Sequence, residues 1–375
     1  MEKIKMVDLH SQYLKIKKDI DTAIQDVLDS TAFIQGQEVR DFERSLAAYC
    51  NIPHAITCGS GTDALQVALM ALDLDPGDEV ILPAFTYAAA AEVIAVLNLR
   101  PVFIDVDAET FNLDVNQVEE HITVKTRAVM PVHLFGQCAD MEPLMNIAAM
   151  HDLFVIEDAA QALGAPYTFS NGSTAGAGSM GRIGCTSFFP SKNLGCFGDG
   201  GALLTRDASL ATKLKMIANH GQREKYYHDL VGVNSRLDTL QAAILNVKLS
   251  HLDAYLQRRR EVAAYYDETF SGLDQLVTPH RSGRAGHVYN QYTIRVERQH
   301  RDALKTFLQD RGVPSTIYYP LPLHLQNAYR EPGCPEGTLP VAESLSKTVL
   351  SLPIHTEISE EQLDHIANTV KAFFD

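Results

Sequence analysis

The chain has 375 residues, 46% of them hydrophobic and 21% charged, and a net charge of −15. That composition is globular, and the length exceeds one typical compact core, so two domains or one large domain with an appendage are expected. The acidic balance speaks against a nucleic-acid or membrane-surface partner, which needs a basic face, but not against an anionic small ligand, which needs only local donors.

Residues 12–29 predict an amphipathic helix with Leu14, Ile16, Ile20, Ile24, Val27 and Leu28 toward one face. A second helix is expected over 38–49. Strands and helices then alternate: strand 54–58, helix 62–72, a turn at Asp75-Pro-Gly-Asp78, strand 79–82, helix 88–97, strand 100–105, and strands at 128–131 and 153–157. This alternation predicts an α/β fold with a mainly parallel sheet covered by helices on both faces. A β-prone run, Thr186 to Phe189, is broken by Pro190. After about residue 235 the pattern changes. A long helical region, 237–270, leads to strand 290–296, helix 301–311, strand 315–319 and helix 359–374, which together suggest a small α+β unit. The boundary is placed near residue 250, giving a large domain over 1–250 and a small C-terminal domain over 251–375.

Met1 to Asp8 lack the apolar core of an export signal. The most apolar stretch, Tyr87 to Leu99, is short and carries Glu92 and Asn98, so no membrane span is expected. Cys50, Cys58, Cys138, Cys185, Cys196 and Cys334 form no CxxC pair and no metal-ligand spacing. Reduced thiols, a cytoplasmic location and no bound metal are expected.

Five segments carry candidate chemistry. Cys58-Gly-Ser-Gly61-Thr62 joins a strand to a helix and is either a phosphate site on free helix amides or an ordinary capped turn. It is not a dinucleotide fingerprint, and no P-loop occurs, which speaks against a Rossmann oxidoreductase and an NTPase. Pro83-Ala-Phe-Thr-Tyr87 offers a ring that either stacks on a planar ligand or belongs to the core. Leu153 to Glu157-Asp158 is an apolar strand ending in two acids, and ligands of open α/β sheets gather at such strand ends. An Asp there can hold a heterocyclic N–H⁺. Lys192 follows Pro190 and precedes the glycine-rich run 195–201, and a lysine amine forms Schiff bases with carbonyl compounds such as pyridoxal phosphate (PLP). A polar loop between His220-Gly-Gln-Arg223 and Asn234-Ser-Arg236-Leu-Asp238 is either a solvated connection or a donor-rich binding segment.

In this order and spacing the segments resemble the fold-type I PLP enzymes and, more narrowly, the sugar-nucleotide aminotransferases of the DegT/DnrJ/EryC1/StrS family. The resemblance runs from Val7 to His355, with Asp158-Ala-Ala-Gln161, Ser187-Phe-Phe-Pro-Ser-Lys192 and Asn234-Ser-Arg-Leu-Asp-Thr-Leu-Gln-Ala-Ala-Ile244 as its signatures. It implies PLP bound covalently by Lys192, with Asp158 on the pyridine nitrogen, Gln161 at the ring hydroxyl and Tyr87 stacked on the ring. Gly61, Thr62 and Ser187 would hold the phosphate, joined by Asn234 of a neighbouring subunit, so a homodimer with shared active sites is implied.

Further likeness, in Gly136-Gln-Cys-Ala-Asp140, Cys185 to Lys192 and His220-Gly-Gln, implies glutamate as amino donor. The implied acceptor is the 3-keto group of UDP-2-acetamido-2-deoxy-ribo-hex-3-uluronate, in cell-surface polysaccharide (O-antigen) biosynthesis. Arg236 would grip the sugar carboxylate as a bidentate fork, and Thr31, Phe33, Ser191, Tyr318 and Tyr319 would line the sugar site. The alternatives are a dTDP-linked 3-keto or 4-keto deoxyhexose as substrate and, in another class, a non-catalytic PLP-binding regulator. Three departures stand out: Tyr318 where the likeness leads to His, a long Gly/Ser-rich run over 168–184, and Arg182 where an acid is common.

Overall fold

The computed structural model describes residues 2–330 and 333–375. Seven strands form the central sheet: β1 (His54–Cys58), β2 (Glu79–Pro83), β3 (Arg100–Ile104), β4 (Thr126–Val129), β5 (Phe154–Asp158), β6 (Ile183–Ser187) and β7 (Gly201–Thr205). Their spatial order is β1-β7-β6-β5-β4-β2-β3. The pairs from β6 through β3 are parallel. Only β7 runs against the others, pairing antiparallel with both β1 and β6.

Successive strand residues face opposite sides of a sheet, and here both sides are covered. Val80, Leu82, Ile156 and Leu203 pack with the helices Gly61–Ala71, Ala89–Val96 and Ala208–Ala218. Ile81, Val155, Ala202 and Leu204 pack with Gln37–Tyr49, Met141–Met150 and Thr239–Leu249. Burial on both faces explains why these strands read as continuous apolar runs rather than as alternating ones. The expected mainly parallel α/β sheet with two helical layers is therefore present.

A second, three-stranded antiparallel sheet follows: β8 (Leu276–Val277), β9 (Tyr292–Val296) and β10 (Val349–Leu352). The helices Arg298–Asp310 and Glu360–Phe374 supply Leu304, Leu308, Ile366 and Val370 to its core. Helix Leu252–Phe270 joins the two units, with Leu252 and Leu256 in the core of the large sheet and Val262, Tyr266 and Phe270 in the smaller core. Among the described residues no helix is long and apolar enough to cross a membrane, and no group of His, Cys, Asp and Glu is arranged to hold a metal.

The structure corrects several expected elements. The helix expected over 12–29 is two, Leu9–Lys15 and Lys17–Ser30, broken at Ile16. The first starts early because Asp8 accepts the Ser11 N–H as its cap. The region 237–270 likewise breaks between Leu249 and Leu252. The run Thr186–Phe189 is strand only to Ser187, since Phe188 N–H turns to the Gly200 carbonyl. Residues 315–319 make a single bridge, Thr316 to Ser351, at the sheet edge rather than a strand; the preceding Pro314 has no N–H for a ladder. The run 168–184 folds back as a hairpin pairing 166–168 with 174–176, and Arg182 pairs with Asp207 at 2.7 Å.

Candidate active site

Lys192 lies in a tight turn just beyond β6. Its N–H bonds the Phe189 carbonyl at 2.8 Å, and Cys196 N–H returns to Phe188 at 2.8 Å. Gly195 is required there, because a Cβ would lie 2.3 Å from the Pro190 oxygen. Lys248, buried in helix Thr239–Leu249, donates to the Gly195 carbonyl at 2.5 Å and braces the turn from behind. Part of Lys192 reaches solvent, but its amine is enclosed enough that burial lowers its pKa, partly offset by the Asp158 carboxylate. Among the described residues that amine has no hydrogen-bond or salt-bridge partner.

Asp158 ends β5 and is 9% exposed. Burial raises its pKa, against the lowering effects of the Ala160 N–H and the Lys192 amine. Oδ1 accepts the Ala160 N–H at 3.0 Å; Oδ2 takes no hydrogen bond from the described residues. One turn on, Gln161 accepts the Phe135 N–H at 2.8 Å and donates to the Tyr319 hydroxyl at 3.1 Å. Tyr319 in turn sits 6.2 Å, centroid to centroid, from Tyr87, an exposed ring at the end of β2. Tyr318 lies beside Tyr319, ring centroids 5.8 Å apart.

The turn at residues 58–62 opens helix Gly61–Ala71. Ser60 caps it, accepting the Asp63 N–H at 3.0 Å, and the first amides, Gly61 and Thr62, are left without intrahelical acceptors. A Cβ on Gly61 would lie 2.6 Å from Ser187 Cβ, so the end of β6 and this helix start meet with no room for a side chain between them. The Ser187 hydroxyl lies at this junction, 3.0 Å from where that Cβ would be, and accepts the Phe189 N–H at 3.2 Å.

The remaining candidates form a second patch. Ser235 Oγ accepts the Gly59 N–H at 2.9 Å and donates to Asp63 at 2.7 Å, fixing Asn234 and Arg236 behind the turn. Asn234 is exposed. Arg236 lines a cavity of about 130 Å³ with Arg40, Lys215 and Asn219. Thr31 and Phe33 are exposed in a segment tied to the same region through Thr239 N–H to Phe33 O at 3.0 Å and Gly36 N–H to Thr239 Oγ1 at 3.1 Å. No hydrogen bond, ion pair or ring contact among the described residues joins Thr31, Phe33, Asn234 or Arg236 to Lys192. Ser191 adjoins Lys192 and is partly buried. Sequence reasoning noted Glu157 without giving it a role; its neighbour His133 and the brace Lys248 were not singled out.

An enclosed amine of lowered basicity, a strand-end carboxylate with one oxygen free, an amide cradle and an exposed ring suit a ligand that is at once a carbonyl, a cationic heterocycle and a phosphate. Comparison with known proteins agrees. The profile of the DegT/DnrJ/EryC1/StrS aminotransferase family matches residues 14–371. A protein named pleiotropic regulatory protein, from Geobacillus stearothermophilus, is 46% identical over 99% of this chain and 98% of its own. A UDP-N-acetyl-3-dehydro-alpha-D-glucosamine 3-aminotransferase of Acidithiobacillus ferrooxidans is 45% identical over 98% of this chain and 97% of its own. A UDP-2-acetamido-2-deoxy-3-oxo-D-glucuronate aminotransferase of Pseudomonas aeruginosa is 44% identical over 94% and 95%. The crystal structure of S. venezuelae DesV superposes with a TM-score of 0.95 at 41% identity, covering 100% of this chain and 99% of that one.

Proposed function

The chain belongs to the DegT/DnrJ/EryC1/StrS aminotransferase family and is a PLP-dependent aminotransferase of fold-type I, and from that premise we propose that it carries the amino group of L-glutamate to the 3-keto group of a UDP-linked 2-acetamido sugar bearing a C6 carboxylate. The residues present fit the cofactor. Gly61, Thr62 and Ser187 would hold its phosphate, the free oxygen of Asp158 its ring nitrogen, Gln161 its ring hydroxyl, Tyr87 its face and Lys192 its aldehyde carbon.

When bound, PLP supplies an electron sink for the charge left when a Cα proton is removed. The chain's own part is proton handling and orientation. The Lys192 amine, its basicity lowered by burial, takes the proton from the amino donor's Cα and returns one on the far side of the reaction, acting as base and then acid. Asp158, ionised against a cationic ring, keeps that ring protonated. Arg236 grips the sugar carboxylate with both guanidinium nitrogens. Thr31, Phe33, Ser191, Tyr318 and Tyr319 line the sugar.

In this reading the functional unit is a homodimer, with Asn234 and Arg236 of one protomer completing the site of the other. That no hydrogen bond, ion pair or ring contact among the described residues joins either of them to Lys192 of the same chain supports it. So does the exposure of Phe33, Ile34, Phe189, Phe197 and Val231, apolar side chains that an interface would cover. The domain division near residue 250, a cytoplasmic location and a place in cell-surface polysaccharide synthesis complete the proposal. The division is supported by the break between helices Thr239–Leu249 and Leu252–Phe270.

The observation that carries the uronate is Arg236 in a cavity it shares with Arg40, Lys215 and Glu43, three cations to one carboxylate in a chain of net charge −15. A second reading has its own support. The names of the two relatives agree on a UDP-linked, 3-oxo N-acetyl sugar and differ in glucosamine against glucuronate. The test incubates the protein, 2-oxoglutarate and matched UDP-3-amino sugars, with and without the C6 carboxylate, and follows glutamate and keto sugar by mass spectrometry. Preference for the carboxylate by about tenfold or more in kcat/KM is expected. Preference for the uncharged sugar removes the uronate and leaves 3-amination, and turnover of dTDP-linked sugars alone removes both.

A further inference from the structure

Glu157 precedes Asp158 on β5 and so faces the opposite side of the sheet. It and His133 are both fully buried, 0% exposed. The carboxylate is saturated. Oε1 accepts the N–H of Met180 at 2.7 Å and of Gly181 at 2.5 Å, while Oε2 accepts the N–H of Gly178 at 2.8 Å and His133 Nε2 at 2.9 Å. His133 Nδ1 accepts the Ala139 N–H at 3.1 Å. The ring proton is therefore on Nε2, and the neutral imidazole donates to Glu157. Four donors and no acceptor around a carboxyl group demand the ionised form, because a proton on either oxygen would point at an N–H.

An ion this deep is expensive unless every lone pair is used, and a core of this kind is readily built from apolar residues instead. Its location explains what it does. The residues that hold Glu157 also hold the backbone of Asp158. The His133 N–H bonds the Asp158 carbonyl at 3.0 Å, and the Asp158 N–H bonds the Pro131 carbonyl at 2.9 Å. From the other side, the loop 178–181 is drawn against β5 so closely that Gly178 adopts φ +81° and a Cβ on Gly181 would lie 2.7 Å from the Val155 oxygen. The run 168–184, which the family likeness leaves without a purpose, thus ends in three amides aimed at one carboxylate.

We propose that Glu157, through His133 and the 178–181 amides, is a positioning residue for the amino-transfer reaction: it fixes the end of β5 and with it the angle at which the Asp158 carboxylate meets the cofactor ring. The inference rests on Asp158 being the ring-nitrogen partner. Glu157→Gln keeps the shape and replaces one accepting oxygen with an NH₂ that opposes the amide donors.

The experiment compares wild type, Glu157→Gln, Glu157→Asp and Asp158→Asn as full-length protein, prepared without cofactor and then titrated with PLP. In Glu157→Gln, hydrogen exchange at Gly178, Met180 and Gly181 should speed up. Its Kd for PLP should rise about tenfold, and kcat per cofactor-loaded protein should fall about 30-fold, with KM for glutamate within about threefold of wild type. Glu157→Asp, which keeps the charge, should recover most of the loss. Faster exchange and a lower Tm with kcat and Kd unchanged would mean a loop anchor alone and overturn the proposal. If Glu157→Gln does not fold, His133→Gln, which retains the carboxylate and its three amides, should lower kcat about fivefold at unchanged KM; an unchanged kcat would overturn it equally. Full activity in Asp158→Asn would instead refute the ring-nitrogen assignment on which the inference depends.

Discussion

The proposed cofactor side and the proposed sugar side of the site are built on opposite plans. Asp158, Gln161, Ser187 and Gly61 sit at strand ends, a following turn and a helix start, where backbone N–H groups donate to the Asp158, Gln161 and Ser60 side chains at 2.8–3.0 Å and a Cβ on Gly61 would collide with Ser187. Thr31, Phe33, Asn234, Arg236 and Tyr318 lie instead on loops and edges. Three of the five are exposed, and among the described residues the one side-chain hydrogen bond from Arg236, to Asn219, is 3.5 Å long. The first arrangement suits a reaction common to a family. The second suits a substrate that varies between members, because loop residues can change without disturbing the sheet.

That contrast can be broken by substitution, with effects graded from the rigid side to the loose one. Lys192→Ala should be the most severe. The borohydride-fixable linkage between PLP and the protein should vanish, non-covalent binding should persist, and kcat should fall on the order of 10⁴-fold for every sugar. Normal turnover would contradict the assignment. Asp158→Asn comes next. Opposite charges about 4 Å apart at an effective dielectric near 20 interact by about 4 kcal/mol, so kcat should drop on the order of 10²- to 10³-fold, again regardless of sugar. Arg236→Ala should be the mildest and the only selective one, costing about 10- to 100-fold in kcat/KM on a carboxylated sugar and little on its uncharged counterpart. Mixing subunits sharpens the comparison further. Refolded equimolar Lys192→Ala and Arg236→Ala chains should recover about a quarter of wild-type activity on a carboxylated sugar if the sugar side is supplied across a two-fold interface, and no more than the residual activity of the Arg236→Ala chains if each chain completes its own site.

The same division governs what could be read from the residues alone. The parallel strands were legible because each is a short apolar run closed by a turn, as β2 is by Pro83 and β5 by Glu157-Asp158. The positions of Lys192 and of the Gly59-Ser-Gly61 turn followed from local signals of that sort. β7 was not legible, since its first residue continues a glycine-rich run and its direction is set by pairing with β1 and β6. Ser315–Tyr319 has strand composition but finds one bridge, because what decides a strand is an available edge and not propensity. Glu157 was visible as an acid. Its partners lie at 133 and 178–181, and nothing in the spacing joins them. Residues 234–236 carried a motif, but the packing of Ser235 against the Gly59–Asp63 turn is a property of the assembled sheet.

Helix Leu252–Phe270 has 19 residues and is about 28 Å long. With one end rooted among Leu252 and Leu256 and the other among Tyr266 and Phe270, it cannot be withdrawn from either core without dragging on the other. Heat or denaturant should therefore melt both units in one cooperative transition. A fragment ending before Leu252 would bare the apolar floor on which that rod rests, and should aggregate rather than behave as a small enzyme.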